Sequence, residues 1–191
     1  MPGKQAKILS VSHTDELLLF ADTTRRPLRN RVLVLLSIKA GLRAAEIANL
    51  TWEMVLDPGR EIGSTVELRD CAAKMGGGRI IPIHSELHQA LVALMSQSDL
   101  SGTIIKSERG GRMTPLSIVV WFYRAYQALG LDGCSSHSGR RTFITRAARL
   151  VHKAGGSLRD VQLLAGHRSI QTTQRYIDGD SDAQRRLVSL I

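Results

Sequence analysis

Cysteine, aromatic residues and long apolar runs are scarce in this sequence. Cys71 and Cys134 share no CxxC spacing, which excludes a disulfide framework and a cysteine zinc site. The longest apolar run, residues 32–38, is far shorter than the roughly 20 residues that span a bilayer, and the N-terminus lacks a signal-peptide pattern. We therefore expect a soluble, cytoplasmic protein with reduced thiols, no metal, no cofactor and no membrane partner.

Basic charge is present in excess. Lys and Arg outnumber Asp and Glu by 26 to 17, giving a net charge of +9, which favours a polyanionic partner such as nucleic acid. A cationic membrane-surface protein would have the same charge, but no basic amphipathic helix or lipidation motif is present. With 191 residues and 43% apolar composition, the chain is long enough to bury a core of its own.

The residue patterns predict a mainly α fold with a small antiparallel β-sheet. A capping-box pattern at residues 12–15 precedes a first helical segment at 16–21. Apolar periodicity predicts further helices over residues 30–40, 43–52, 85–95, 115–129, 139–151, 158–165, 170–177 and 183–191. Two β-rich segments, 64–71 and 79–83, flank the glycines at 76–78 and predict one hairpin.

Two arginines occupy positions where a helix would place core residues. Arg43 precedes Ile47 by four residues and Arg140 precedes Ile144 by four, so each shares the apolar face of its predicted helix. Taken alone, each favours a structural role: an ion pair of Arg43 with Glu46, and a helix cap for Arg140. Two inward guanidinium groups together would also form a clamp for the non-bridging oxygens of a phosphodiester.

Four other polar residues are ambiguous one by one. His137 lies three residues before Arg140, so both side chains can project toward one region from a helix start. Lys74 at the hairpin tip has the position of a solvated turn lysine. His167 follows a helix end, and Tyr176 has the position of a half-buried packing tyrosine.

Taken together, these residues lie in motifs that resemble the tyrosine recombinase, or phage integrase, family. In order along the chain, the matching segments are GLRAAEIANLTW (41–52), the lysine before the glycine-rich turn, RIIPI (79–83), HSGRRTF (137–143) and GHRSIQTTQRY (166–176). The order and the spacing both agree over residues 41–176. The resemblance implies the fold of a tyrosine recombinase catalytic domain and double-stranded DNA as the partner.

The resemblance also implies a role for each residue. Arg43, supported by Glu46, and Arg140 would hold the scissile phosphate, and His137 and His167 would hydrogen-bond it. Tyr176 would attack the phosphate to form a 3′-phosphotyrosine, with His137 able to accept its proton and Lys74 protonating the departing 5′ oxygen. A phenol with a pKa near 10 needs such a cationic site, and the phosphotyrosine conserves the bond energy, so neither metal nor ATP is expected.

The sequence departs from the family pattern in two respects. Gly139 and Arg141 replace the usual leucine and histidine around the second arginine, from which we expect a changed helix start and an intact site. The chain resembles the short family members that lack a core-binding domain, or else it is a truncated form of a longer member. We expect a lead-in over residues 1–11, the catalytic domain over 12–179 and a tail helix over 180–191. The tail helix would dock either on its own core or on a neighbouring protomer. The expected assembly on DNA is a homo-oligomer such as a synaptic tetramer.

Two other functions share some of these features. A type IB topoisomerase uses a similar residue set and would relax supercoils without a partner site. A non-catalytic DNA-binding relic of an integrase would lack one of the six catalytic positions, and here all six are filled. His84 and His88 have helical spacing, but the intervening Glu86 is misplaced for an HExxH zinc motif.

Overall fold

The structure, a computed structural model, describes residues 6–72, 77–176, 188–189 and 191. Within these ranges the chain forms eight α-helices, one short 3-10 helix at Trp52–Met54 and one sheet of two antiparallel strands, β1 (Thr65–Leu68) and β2 (Arg79–Pro82). The helices are α1 (Val11–Asp22), α2 (Pro27–Ile38), α3 (Ala44–Asn49), α4 (Ser85–Met95), α5 (Pro115–Ala128), α6 (Ser138–Leu150), α7 (Leu158–Ala165) and α8 (Ile170–Gln174).

The predicted fold class is confirmed, and several predicted boundaries are wrong. The cap of α1 is Ser10, whose side chain accepts from the backbone N–H of His13, and not the predicted Ser12. Helix α2 begins three residues early because Pro27 at its first turn has the φ angle that a helix needs. Both strands and α8 are shorter than predicted, and the predicted helix at 43–52 divides into α3 and the 3-10 helix.

Capping residues fix the helices that carry the candidate site. Helix α7 opens on a capping box in which Asp160 accepts from the backbone N–H and the hydroxyl of Ser157. It ends at Gly166, whose φ of 61° lies in the left-handed region that favours glycine. A Cβ at this position would also lie 2.9 Å from the guanidinium of Arg79. The sequence therefore stops α7 directly before His167.

Two apolar clusters form the interior. The larger cluster gathers α1 to α5 and the sheet around fully buried side chains that include Trp52, Phe122 and Tyr126. The smaller cluster joins α6 and α7 through Ile144, Val161 and neighbouring residues. Helix α6 packs on α2 as well as on α7, so its N-terminal end lies between the two clusters. His137 and Arg140 lie at this end of the helix.

The segment before α1 is fastened to α6. The backbone N–H of Leu9 donates to the hydroxyl of Thr142 at 2.8 Å, and the guanidinium groups of Arg141 and Arg146 donate to the carbonyls of Ala6 and Leu9. Leu9 itself is buried in the larger cluster. No helix in the described ranges is both long enough and apolar enough to cross a membrane.

Candidate active site

Arg140 is the centre of the candidate site and is almost entirely buried, at 3% exposure. Its Nη1 donates to the carbonyl of Gly41 at 2.6 Å and its Nη2 to the carbonyl of Ala165 at 2.5 Å. The guanidinium therefore bridges the turn after α2 to the end of α7. A guanidinium carries five N–H donors, so three remain beyond these two bonds with described residues.

A glycine is required at position 41, whose carbonyl is the first acceptor of Arg140. Its φ of 64° lies in the left-handed region, and a Cβ there would lie 2.4 Å from the ring of Phe143. Since Phe143 follows Arg140 by three residues on α6, this close contact draws the turn and the helix together. The same turn leads directly to Arg43.

Arg43 lies immediately before α3 and not, as predicted, within a helix. Its Nη1 donates to Glu46 Oε1 at 2.7 Å, and its backbone N–H donates to Glu46 Oε2 at 2.9 Å. Arg79 of β2 makes a two-pronged ion pair with the same carboxylate at 3.0 and 3.1 Å, and its Nε donates to the carbonyl of Leu164. Glu46, with no exposed side-chain surface, thus joins α3 to β2, while Arg79 extends the connection to α7.

His167 follows the glycine that ends α7, and its ring is held from two sides. Its Nδ1 lies 3.0 Å from the hydroxyl of Thr173, a fully buried residue of α8. Its ring stacks on that of Tyr176, with centroids 5.5 Å apart and planes inclined by 23°. Gln162 holds the backbone of His167 by donating to its carbonyl at 2.9 Å.

Tyr176 lies just beyond α8 and is half-buried, facing a cleft of about 270 Å³. The cleft brings Tyr176 together with Arg140 and His137, and it is lined in full by Ala6, His137, Arg140, Arg141, Thr172, Arg175 and Tyr176. Three of the six predicted catalytic residues therefore share one cavity. Arg43 follows Gly41 by two residues and His167 follows Ala165 by two, so each lies close in the chain to a carbonyl that Arg140 binds. Lys74 lies outside the described residues.

The charges of the site shift the pKa values of its members. Burial, and then the positive charge of Arg43, lower the pKa of Arg140 to about 10, so the guanidinium stays protonated at neutral pH. Burial, and then the charges of Arg140, Arg43 and Arg79, lower the pKa of His167 to about 4. Burial by itself would raise the pKa of Glu46, but hydrogen bonds and charge from Arg79 and Arg43 outweigh it and lower this pKa to about 2.

The two residues that depart from the family pattern around Arg140 both make specific contacts in the structure. Gly139 lies where α6 crosses α2, and a Cβ there would lie 2.3 Å from the hydroxyl oxygen of Ser37 and 3.0 Å from Ile38. A leucine would not fit this crossing without separating the two helices. Arg141 lines the cleft and holds Ala6, so it links the lead-in to the site.

Sequence reasoning missed three residues that shape the site. Arg79 was recognised only as part of a motif, although an arginine opening an otherwise apolar strand is a signal for a buried partner. Thr173 lies in the last matching segment, where nothing in the sequence indicates a hydrogen-bonding role. Gln162 gave no signal, because its contact with His167 forms only after Gly166 turns the chain.

Known proteins resemble this chain in sequence. The sequence profile described as the phage integrase family matches residues 7–182. A tyrosine recombinase XerC of Myxococcus xanthus is 31% identical over 188 residues, covering 92% of this chain and 59% of the relative. The chain thus spans about three fifths of the length of this relative.

Solved structures share the fold at low sequence identity. A crystal structure of XerA recombinase superposes with a TM-score of 0.77 at 22% identity, covering 99% of this chain and 66% of the other. A Tn1549 transposon integrase in complex with a circular intermediate DNA gives a TM-score of 0.74 at 21% identity, covering 100% and 67%. With the profile matching nearly the whole sequence, the chain belongs to the phage integrase family.

Proposed function

We propose that this chain is the catalytic part of a site-specific recombinase that cuts and rejoins double-stranded DNA through a 3′-phosphotyrosine bond to Tyr176. The observation that carries the proposal is the cleft that Tyr176 shares with Arg140 and His137. It contains a nucleophile, a buried cation and a group able to take a proton, which are the three components that attack on a phosphodiester requires.

Arg140 and Arg43 would bind the non-bridging oxygens of the scissile phosphate. Arg140 retains three N–H donors beyond its two carbonyl contacts among the described residues, and its burial strengthens any bond to an anion. Arg43 is oriented by Glu46, which accepts from Nη1 and is the one partner of this guanidinium among the described residues, so its other donors are open to a ligand. Planar forks of this kind match the geometry of phosphate oxygens.

Tyr176 would attack the phosphorus atom while the bond from phosphorus to the 5′ oxygen breaks. The phenol proton passes to His137, and the departing 5′ oxygen takes a proton from Lys74. Religation runs the same steps in reverse, with the free 5′ hydroxyl attacking the phosphotyrosine. The arginines supply the positive charge that magnesium supplies in many phosphoryl transfers, so the reaction should proceed in EDTA.

DNA is the proposed partner because the chain has a net charge of +9 and because structural neighbours include an integrase bound to DNA. Recombination joins two duplexes, so we propose that the active species is a homo-oligomer assembled on DNA, such as a synaptic tetramer.

The test is covalent capture of DNA. A pool of nicked suicide duplexes with randomised sequence around the nick is incubated with the protein in EDTA, and the products are separated on a denaturing gel. A DNA-linked protein band should form with the wild type and disappear in Tyr176→Phe. Tyr123→Phe, which alters an exposed tyrosine of α5, provides the matched control. A band of equal intensity in Tyr176→Phe would refute the proposal.

A further inference from the structure

His167 and Thr173 form a contact that the proposed chemistry does not use. The hydroxyl of Thr173 lies 3.0 Å from Nδ1 of His167, and both residues are buried. Among the described residues, this is the one hydrogen bond formed by the Thr173 side chain. Because a hydroxyl can donate or accept, the proton on the histidine ring decides the direction of the bond.

The charge state of His167 leaves it one ring proton. Its pKa is lowered to about 4, first by burial and then by Arg140, Arg43 and Arg79, so the imidazole is neutral at pH 7. A neutral imidazole carries its proton on either Nδ1 or Nε2, and the partner of one nitrogen selects which. A phosphate oxygen only accepts hydrogen bonds, so a histidine that binds phosphate through Nε2 must carry its proton there.

The location of Thr173 gives the contact a second consequence. Thr173 precedes Tyr176 by three residues, and the backbone N–H of Tyr176 donates to the carbonyl of Thr173 at 3.0 Å. The ring of Tyr176 in turn stacks on His167. The residue whose hydroxyl contacts His167 is therefore also the residue whose carbonyl binds the backbone N–H of Tyr176.

We infer that Thr173 is a positioning residue that donates its hydroxyl proton to Nδ1 of His167, which keeps the ring proton on Nε2 and aligns His167 with Tyr176. The role of Nε2 toward phosphate rests on the proposed function. The direction of the hydrogen bond is inferred from that role, and it can be measured in the folded protein without DNA.

The tautomer can be measured directly. Long-range proton–nitrogen NMR correlations on protein labelled with ¹⁵N-histidine distinguish a protonated from an unprotonated ring nitrogen, and His167→Gln identifies the signals of interest. At pH 7 the wild type should carry the His167 proton on Nε2 with Nδ1 unprotonated. A proton on Nδ1 would overturn the inference, and this measurement needs no variant of Thr173 to fold.

Substitution separates the hydroxyl from the shape of the side chain. Thr173→Val, which replaces the hydroxyl by a methyl group, should move a measurable fraction of the ring proton to Nδ1, and Thr173→Ser should restore the wild-type spectrum. Thr145→Val is the matched control, since Thr145 is a buried threonine of α6 whose hydroxyl has no partner among the described residues. An unchanged tautomer in Thr173→Val would overturn the inference.

The rate of covalent capture provides the functional readout. Thr173→Val should slow formation of the DNA-linked band about 10-fold to 100-fold, the effect seen when partners of metal-bound histidines are removed, and Thr173→Ser should recover most of the rate. A normal rate in Thr173→Val with an altered tautomer would refute the positioning role. Failure of the wild type to capture DNA would count against the proposed function, and the NMR spectra would still decide the direction of the hydrogen bond.

Discussion

Two clusters of arginines around a glutamate have similar composition and different surroundings. Glu46 pairs with Arg43 and Arg79 at the boundary of α3, β2 and α7, and its side chain is fully buried. Glu108, in the loop before α5, faces Arg29 at 3.0 Å and two more arginines at 3.4 and 3.6 Å, with 43% of its side chain exposed. The same chemistry is thus placed once in the interior beside the candidate site and once in contact with solvent.

Burial decides what each cluster contributes. Solvent screens an exposed pair, whose net effect on stability is small, whereas a buried carboxylate that is removed leaves its arginines without compensation. Glu46 also orients Arg43, so its loss should affect activity as well as stability. Glu108 fastens the turn between α1 and α2, away from the cleft that holds Tyr176.

The largest expected effect is that of Glu46→Gln. The substitution keeps the volume and removes the charge, which leaves the buried Arg79 without its anion, so we expect a loss of about 3–5 kcal/mol in the free energy of unfolding. Urea denaturation measures it. A loss no larger than that of Glu108→Gln would show that burial does not separate the two clusters.

Arg140→Lys sharpens the comparison, because Arg140 is held by carbonyls and not by a carboxylate. A lysine ammonium cannot bond two carbonyls and a phosphate in one plane, so the rate of covalent DNA capture should fall about 100-fold or more. Arg31→Lys on α2, whose arginine pairs with Asp22 at a partly exposed site, is the matched control. Equal rates in the two variants would contradict the role given to Arg140.

A smaller loss of stability should appear on acidification, because His167 is buried beside the arginines of the candidate site. The unfolded chain protonates His167 near its ordinary pKa of 6.5, while the folded protein does so only near 4. The unfolded state therefore binds more protons in this interval, and stability should fall as the pH drops from about 6.5 toward 4. In urea melts at pH 7 and pH 5, His167→Gln should reduce the difference between the two conditions. His152→Gln, at an exposed position, should not reduce it.

The smallest effect is expected for Glu108→Gln. Its carboxylate meets three arginines at the surface, where screening and side-chain entropy cancel most of the attraction. The thermal unfolding midpoint at 0.15 M salt should be indistinguishable from that of the wild type. A clear decrease would mean that Arg29, which is itself buried, depends on this carboxylate as Arg79 depends on Glu46.

The sequence predicted helices best where both ends carry local signals. The bounds of α7 were predicted correctly, because Ser157 and Asp160 form a capping box and Gly166 ends the helix. The start of α2 was predicted three residues late, because the apolar run begins only at Val32, although Pro27 marks the start of the helix. The helix predicted at 43–52 was too long because α3 ends at Asn49 and the chain then pairs Thr51 with Thr103, a contact distant in sequence.

For the site, the sequence predicted which residues take part more readily than how they are held. The grouping of Arg140, His137 and Tyr176 in one cleft agrees with the motifs. The acceptors of Arg140 could not be predicted, because backbone carbonyls leave no trace in a residue pattern. The roles of the site residues stay predictions. Lys74 lies outside the described residues, and so does most of the tail helix predicted at 183–191, of which the structure describes only 188–189 and 191.

The way Arg140 is held has a consequence for sequence change. Its two acceptors are peptide oxygens, at Gly41 and Ala165, so a substitution at either position cannot delete the acceptor and can act only by displacing the main chain. The path of the main chain therefore sets the orientation of this guanidinium. Side-chain changes that leave the main chain of these two turns in place should therefore leave the guanidinium in place as well.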